Sequence, residues 1–335
     1  MKASMPEIIG NQKLRSRLCS DILSQTTSHA YILSGAKGSG KHTIAFQYAA
    51  AIACERKGDP NEPLPCGRCT ACRKVLDGKS PDVITIAKDG QSIKVKQMRD
   101  LPLDVLKVPV DLDEKIYIIE DAHTMTEGAQ NAFLLTLEEP PSFVKFFLLC
   151  EAEEPLLETI RSRAPILRTE PIAAEQIRSY FRDRAVNISS LSEEEIGEIL
   201  SIANGSIGRA LDLLDSEERE PLVKLRHMAD SLIHLALKKN MVVLIELINK
   251  FPKKHDELLP IFATAQTALR DLIALKQSED APLCFYTNRE TAIEEAYRFS
   301  RATLFRLSDL LTETEERLTR NANSKLTLTA MIAKL

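Results

Sequence analysis

The sequence predicts an α/β fold with a parallel sheet in its first half and a long helical region in its second half. Four short apolar runs before residue 150 are separated by helical stretches, an order typical of parallel sheets with helices on both faces. After Pro171 no comparable strand-like run occurs. The chain of 335 residues has only 12 glycines and no tryptophan, which argues against an all-β protein.

The predicted strands are runs of aliphatic and aromatic residues, with one threonine at position 85. They cover residues 30–33, 83–86, 116–119 and 146–149. A helix is predicted directly after the first strand, from about residue 41 to 54. Pro140, Pro141 and Pro165 mark the end of this region.

The second half is predicted to be helical. Ser192 and Glu195 form a capping-box pattern, which predicts a helix start. Gly205-Ser206 breaks the helical pattern before a further helix at 211–214. The predicted domains are an α/β domain at residues 1–170, a small helical domain at 171–215 and a helical C-terminal domain at 216–335.

The composition limits the classes of partner. The formal net charge is -4, whereas a protein that binds DNA mainly by itself usually carries a clear basic excess. Any DNA contact should therefore be local or shared with other proteins. Residues 1–7 lack the apolar core of a signal peptide, and no run of 18 apolar residues occurs. We expect a cytoplasmic protein without a membrane partner.

A glycine-rich loop between the first strand and the following helix predicts a phosphate-binding site. The loop reads Gly35-Ala36-Lys37-Gly38-Ser39-Gly40-Lys41. Glycines let consecutive backbone N–H groups point into one concavity, and the helix N-terminus adds a positive end. We expect Gly35, Gly38, Gly40 and Lys41 to contact the phosphates of ATP or ADP.

The residue after this loop is unusual for a nucleotide hydrolase. A serine or threonine hydroxyl normally ligates Mg²⁺ there, but the chain has His42. Mg²⁺ prefers oxygen ligands, and Thr43 lies about 100° further around the helix. The loop is therefore expected to hold phosphates while binding Mg²⁺ poorly.

An acidic pair follows the third predicted strand. Glu120-Asp121 stands where an ATPase of this kind carries the reverse order, with one carboxylate for Mg²⁺ and one for the attacking water. The swap moves each carboxylate by about one methylene, and a misplacement of about 1 Å can cost about 10²-fold in rate. We expect weak or absent ATPase activity.

Four of the seven cysteines are close together in the sequence. They are Cys54, Cys66, Cys69 and Cys72. Four thiolates suit tetrahedral Zn²⁺, and a site with four protein ligands is structural because it leaves no position for a reactive water. The alternatives are reduced cysteines in a flexible loop and a redox dithiol.

Two arginines follow the fourth predicted strand. Arg161 and Arg163 flank Ser162, and an arginine here could reach the nucleotide of a neighbouring subunit. The alternative is a solvated helix end. Further along, Gly205-Ser206-Ile207-Gly208-Arg209 is a glycine-containing turn into a helix.

Together these motifs resemble the bacterial clamp-loader family of AAA+ proteins. The resemblance rests on residues 29–33 before the phosphate loop, the cysteine cluster, and the Thr-Leu-Glu-Glu-Pro-Pro stretch that ends at Pro141. Ser162-Arg163-Ala164 matches the family's Ser-Arg-Cys motif except for its last residue. The resemblance implies a RecA-like domain with a zinc-binding insertion at 54–72, a helical lid and an oligomerising helical collar.

Within the family, the chain resembles the stator branch, called delta-prime, more than the motor branch, called gamma/tau. His42, the Glu120-Asp121 order and Gly208, in a position where active members carry an arginine, all depart from the motor pattern. By resemblance, Arg163 acts as a finger in the nucleotide site of a neighbouring subunit. The implied partners are the delta and gamma/tau subunits, the sliding clamp and primed DNA.

Three other functions remain open from the sequence. The chain could be an ATP-hydrolysing motor subunit of the same complex, in which case the isolated chain should hydrolyse ATP. It could be a P-loop nucleotide kinase with a zinc-bearing lid, although the long helical region exceeds what such kinases need. A zinc-knuckle nucleic-acid binder is disfavoured by the acidic charge balance.

Overall fold

The computed structural model describes residues 5–189 and 191–335, and this part of the chain forms two compact units. The first unit contains the chain up to Arg182 together with Gly205–Arg209. The second contains Asp183–Asn204 and Ala210–Leu335. The first four residues, on which part of the signal-peptide argument rests, lie outside the described residues. The three-domain division at residues 170 and 215 stays a prediction.

The first unit is built on a five-stranded sheet. The strands are β1 (Ala30–Ser34), β2 (Val83–Ile86), β3 (Lys115–Ile119), β4 (Val144–Cys150) and β5 (Ile166–Arg168). Their spatial order is β2-β3-β4-β1-β5, and every neighbouring pair is parallel. The predicted parallel sheet is confirmed, but β5 was not predicted.

Helices cover both faces of this sheet, as predicted. The helices that begin in this part of the chain are α1 (Gln12–Leu23), α2 (Lys41–Ile52), α3 (Thr70–Leu76), α4 (Val95–Val105), α5 (Glu127–Glu138), α6 (Glu158–Arg161) and α7 (Ala174–Asp183). Tyr31 and Leu33 of β1 pack in a cluster with α1 and α2, whereas Ile32 packs in a cluster with α4 and α5. Because all five strands are parallel, their carboxyl ends meet at one edge of the sheet. Ligands bind at that edge in open parallel sheets.

In the rest of the described chain the regular elements are all helices, as the sequence predicts. They are α8 (Glu193–Ala203), α9 (Ile207–Asp212), α10 (Ser216–Leu237), α11 (Met241–Asn249), α12 (His255–Leu275), α13 (Arg289–Arg298), α14 (Arg301–Thr319) and α15 (Ser324–Lys334). The predicted capping box is present, since Ser192 Oγ accepts from Glu195 N–H at 3.2 Å. The Glu195 carboxylate accepts from Ser192 N–H at 2.9 Å in return.

Helix α12 is long and apolar enough to cross a membrane when only length and composition are considered. The core helices of globular proteins meet the same criterion. Half of the apolar window of α12 is buried, with Leu258, Phe262 and Leu269 in the core of the second unit. We interpret α12 as a core helix.

Candidate nucleotide and metal sites

The phosphate loop lies between β1 and α2, and its backbone depends on glycine. Gly38 has φ 73°, and Gly40, which caps the N-terminus of α2, has φ 87°. Both values lie in the left-handed region, which residues with a Cβ adopt at a cost. The two glycines therefore let the chain turn from β1 into the N-terminus of α2, where the sequence predicts an anion site.

The end of β5 supports the loop from one side. A Cβ on Gly35 would fall 1.8 Å from Thr169 Oγ1 and 3.1 Å from Thr169 Cβ, so a side chain there would displace Thr169. Thr169 N–H donates to Ser34 O at 2.9 Å, and its hydroxyl lies 3.0 Å from Ser39 Oγ. Thr169 was missed in the sequence because it lies 130 residues beyond Ser39 and belongs to no local motif.

Lys41 is turned back onto its own loop. Its Nζ donates to Gly35 O at 2.6 Å and to Ala36 O at 2.9 Å. Ser39 N–H also points inward, to Ala36 O at 3.1 Å. Burial lowers the pKa of Lys41, and the nearby Glu151 carboxylate partly offsets this effect. The lysine would have to leave these carbonyls to contact a phosphate.

His42 contacts the acidic pair directly. Its Nε2 lies 2.9 Å from Glu120 Oε1, and its ring packs against Phe46 at 4.7 Å between centroids. Thr43 is exposed. Mg²⁺ needs oxygen ligands in a tight octahedron, and here an imidazole occupies the ligand position and contacts the acidic partner. These residues do not fit the magnesium site of an ordinary P-loop hydrolase.

Asp121 is also engaged within the chain. It has φ 48°, and its carboxylate lies 2.9 Å from Lys88 Nζ. One ligand atom each of Asp121, His123 and Glu151 lies within 4.8 Å of the others. Lys88, His123 and Glu151 were not identified from the sequence. Asp121 and Glu151 thus place two carboxylates near Lys41, and these would repel a phosphate group.

The segment Gly205–Arg209 also belongs to this site. Ser206 Oγ donates to Lys37 O at 2.9 Å, and Gly208 N–H donates to Gly38 O at 3.0 Å. Gly208 therefore faces the phosphate loop with its backbone. Both residues belong to the glycine-containing turn named in the sequence, but their contact with the phosphate loop was not predicted.

The four clustered cysteines converge in the fold. All are buried, and one sulfur atom from each lies within 4.8 Å of the other three. The sulfurs of Cys66 and Cys72 are 4.0 Å apart. Tetrahedral zinc with bonds of about 2.3 Å places thiolate sulfurs about 3.8 Å apart, so this donor set fits zinc.

Three of these cysteines have shifted pKa values, and the shifts differ in direction. Burial opposes ionisation of Cys66, but N–H groups of Arg68 and Cys69 lower its pKa to about 7. Burial raises the pKa of Cys54 and, more strongly, that of Cys72. Without a cation the thiols of Cys54 and Cys72 would therefore remain protonated, and a bound cation would favour their thiolate forms.

The two candidate arginines have different surroundings. Arg163 donates to Glu138 Oε1 at 2.8 Å and to Thr159 O at 3.0 Å, and 37% of its side chain is exposed. The Nε of Arg161 is buried without a hydrogen-bond partner. Arg163 is thus an accessible guanidinium held by one carboxylate of the Thr-Leu-Glu-Glu-Pro-Pro stretch, whereas Arg161 is partly enclosed.

Comparison with known proteins identifies the family. The family described as DNA polymerase III, delta subunit, matches residues 10–173. DNA polymerase III subunit gamma of Buchnera aphidicola (subsp. Schizaphis graminum) is 30% identical over 82% of this chain and 71% of its own length. The chain belongs to the DNA polymerase III clamp-loader subunit family. This membership removes the reason to consider a nucleotide kinase.

Clamp-loader subunits of both branches are similar to this chain. DNA polymerase III subunit delta' of Bacillus subtilis is 30% identical over 57% of this chain and 55% of its own length. A gamma subunit-related protein from Thermotoga maritima, of known structure, is 15% identical, covers 96% of this chain and 97% of its own, and superposes with a TM-score of 0.42. Family membership alone does not separate a stator from a motor.

Proposed function

We propose that this clamp-loader subunit is a stator of the delta-prime type. It works in the cytoplasm with delta and gamma/tau subunits, which together load the sliding clamp onto primed DNA. The observation that carries the proposal is the 2.9 Å contact between His42 Nε2 and Glu120 Oε1. That contact occupies the position where a hydrolysing subunit would hold Mg²⁺.

The surrounding charges support weak ATP chemistry. Phosphoryl transfer depends on Mg²⁺ and on a positioned carboxylate. Here Glu120 is held by His42, Asp121 by Lys88, and Lys41 by two loop carbonyls. ATP or ADP could still bind through backbone N–H groups, but the groups that would promote hydrolysis are already paired within the chain.

Arg163 supplies the second part of the proposal. Its guanidinium is permanently charged and exposed, and its contact with Glu138 is a surface ion pair. Such pairs contribute little stability, roughly 0–1 kcal/mol, so Arg163 can exchange Glu138 for another anion at small cost. We propose that this anion is the γ-phosphate of a neighbouring subunit's ATP.

Zinc has a structural role in this proposal. Cys54, Cys66, Cys69 and Cys72 would hold one ion and thereby fix the loop between α2 and α3. When bound, Zn²⁺ supplies a cross-link and no reaction chemistry, because all four positions are protein thiolates.

The test is the steady-state ATPase rate of the reconstituted clamp loader with clamp and primed DNA. Arg163→Ala should lower this rate, because fingers of this kind contribute roughly 10³–10⁵ in related hydrolases. Clamp loaders contain several ATP sites, so the loss in the whole complex should be smaller. Arg161→Ala is the matched control and should leave the rate close to wild type if it folds.

Two results would overturn the stator assignment. One is a wild-type rate for an Arg163→Ala complex that assembles normally. The other is rapid ATP hydrolysis by the isolated chain, which would favour the motor alternative. Assembly is checked by gel filtration, so that a loss of rate is not confused with a loss of the complex.

A further inference from the structure

The phosphate loop and the segment Gly205–Arg209 meet backbone to backbone at two glycines. A Cβ built on Gly208 would lie 2.8 Å from Gly38 Cα. A Cβ built on Gly38 would lie 2.6 Å from Ser206 Oγ and 2.7 Å from Arg209 N. A side chain at either glycine would have to separate the two segments.

Two hydrogen bonds hold this contact. Gly208 N–H donates to Gly38 O at 3.0 Å, and Ser206 Oγ donates to Lys37 O at 2.9 Å. We call this set of four residues the clasp. It holds two successive carbonyls of the phosphate loop, and therefore fixes the two peptide planes that contain them.

The loop fixed by the clasp is bonded to itself. Ser39 N–H and Lys41 Nζ both donate to Ala36 O, at 3.1 and 2.9 Å. A loop that binds phosphate directs its N–H groups and lysine toward the anion. Phosphate binding thus requires these donors to turn, and the clasp opposes that change by holding the adjoining peptide planes.

Glycine at position 208 is otherwise unfavourable. The residue lies inside α9, where glycine is a weaker helix former than alanine, and its φ is outside the left-handed region. Local backbone geometry therefore gives no reason for glycine at this position. Close approach to Gly38 does.

We propose that the clasp keeps the phosphate loop in its self-bonded form, and that a nucleoside phosphate must release the clasp to bind. This inference rests on the proposed role of the loop as a weak nucleotide site. It adds that the nucleotide and Gly205–Arg209 compete for the loop, so that the chain is held in a nucleotide-free form.

The experiment uses Gly208→Ala in the full chain, with Gly197→Ala as control. Gly197 is also within a helix, α8, and a Cβ there meets nothing within 4 Å. Amide hydrogen exchange of the phosphate loop is measured without nucleotide. We expect exchange in Gly208→Ala to be faster by about five-fold, the factor expected from the loss of one hydrogen bond, and unchanged in Gly197→Ala.

The second measurement titrates both variants and wild type with N-methylanthraniloyl-ATP in the absence of Mg²⁺. Gly208→Ala should bind about five-fold more tightly than wild type, because less of the closed form must be opened. Adding the nucleotide to wild type should also expose the Gly208 amide to exchange.

Equal affinities of wild type and Gly208→Ala for the nucleotide would overturn the proposal. Tighter binding by wild type would also overturn it, because the segment Gly205–Arg209 would then close over the nucleotide and not compete with it. If neither wild type nor Gly208→Ala bound the nucleotide, the proposed competition for the phosphate loop would also be overturned. The stator role is judged separately by the Arg163→Ala complex, so failure of one is distinguishable from failure of the other.

Discussion

The side chain of His42 determines which group contacts the carboxylate of Glu120. Nε2 of His42 lies 2.9 Å from Glu120, and the ring packs on Phe46 one turn further along α2. A hydroxyl at this position would be too short to reach Glu120 in the same way. The acidic pair is therefore held by a protein donor, and its chemistry cannot be inferred from the presence of two carboxylates alone.

A second residue-scale feature is the buried carboxylate of Glu153, which lies beyond the end of β4. It accepts hydrogen bonds from Ser34 Oγ and from the Arg168 guanidinium, with Arg168 Nε at 2.8 Å. The Ser34 hydrogen bond and the Arg168 charge lower the pKa of Glu153, although burial opposes them. Glu153 thereby ties β1 and β5 together below the phosphate loop.

We predict that Glu153→Gln lowers the free energy of unfolding by about 1–3 kcal/mol at pH 7, the range for charged hydrogen bonds. A carboxyl with a lowered folded pKa stabilises the fold above its unfolded pKa, which is about 4.3. That contribution is lost as pH falls toward the folded pKa. The difference in unfolding free energy between wild type and Glu153→Gln, measured with denaturant, should therefore shrink progressively as the pH falls below about 4.3.

Glu154→Gln is the control, because the neighbouring Glu154 is exposed. The stability of Glu154→Gln should match that of wild type at pH 7 and at pH 3.5. A stability difference between Glu153→Gln and wild type that is the same at pH 7 and at pH 3.5 would show that charge is not what Glu153 contributes.

Local spacing was enough to predict some site residues and not others. The phosphate loop and the four cysteines each occupy a short stretch of the chain, so their chemistry can be inferred from residues that are close together in the sequence. Thr169, Ser206 and Glu153 reach the site from segments more than 100 residues away. Such contacts follow from strand order and packing, which one sequence does not reveal.

At the scale of elements, the clearest omission is β5. It has only three residues, Ile166–Arg168, and follows Pro165 directly. A strand this short shows no recognisable alternation, and its formation depends on pairing with Ile32, Leu33 and Ser34 of β1. The longer strands were predicted because each contains four successive residues that are apolar or, at Thr85 of β2, β-branched.

Helix α3 offers a test of the metal site that leaves the helix start intact. Cys69 is its N-cap and accepts from Cys72 N–H at 3.4 Å. Serine is a good N-cap residue, but its hydroxyl is a poor zinc ligand. We predict that Cys69→Ser reduces zinc below one ion per chain and lowers Tm by more than about 3 °C, the shift expected for about 1 kcal/mol.

Zinc is measured by elemental analysis of protein purified without chelators, and Tm by calorimetry. Cys284→Ser is the control, since that thiol lies outside the cluster, and it should retain the metal. A chelator should lower the Tm of wild type and leave that of Cys69→Ser nearly unchanged. Wild-type protein that contains no metal would contradict the zinc assignment.

At the scale of the whole molecule, charge limits what the chain does alone. Its 44 basic residues are outnumbered by 48 acidic ones. Phosphate contacts dominate DNA affinity, and each neutralised phosphate adds to the salt dependence of binding. We predict that the isolated chain binds primed DNA no more tightly than about 10⁻⁴–10⁻⁶ M at physiological salt, the non-specific range.

Fluorescence anisotropy of a labelled primed DNA, at several salt concentrations, measures this affinity and its salt slope. The reconstituted loader should bind more tightly and with a steeper slope, because several subunits then share the phosphate contacts. An isolated chain that binds as tightly as the loader would contradict this prediction.

The sheet order has a consequence for synthesis on the ribosome. Strand β1 lies between β4 and β5, both of which follow it by more than 100 residues. At about 5–20 residues per second, the roughly 110 residues from Ser34 at the end of β1 to Val144 at the start of β4 take about 6–22 s to translate. During that interval the Ala-Tyr-Ile-Leu strand has neither neighbour, and we expect chaperones that bind short apolar segments to recognise the nascent chain there.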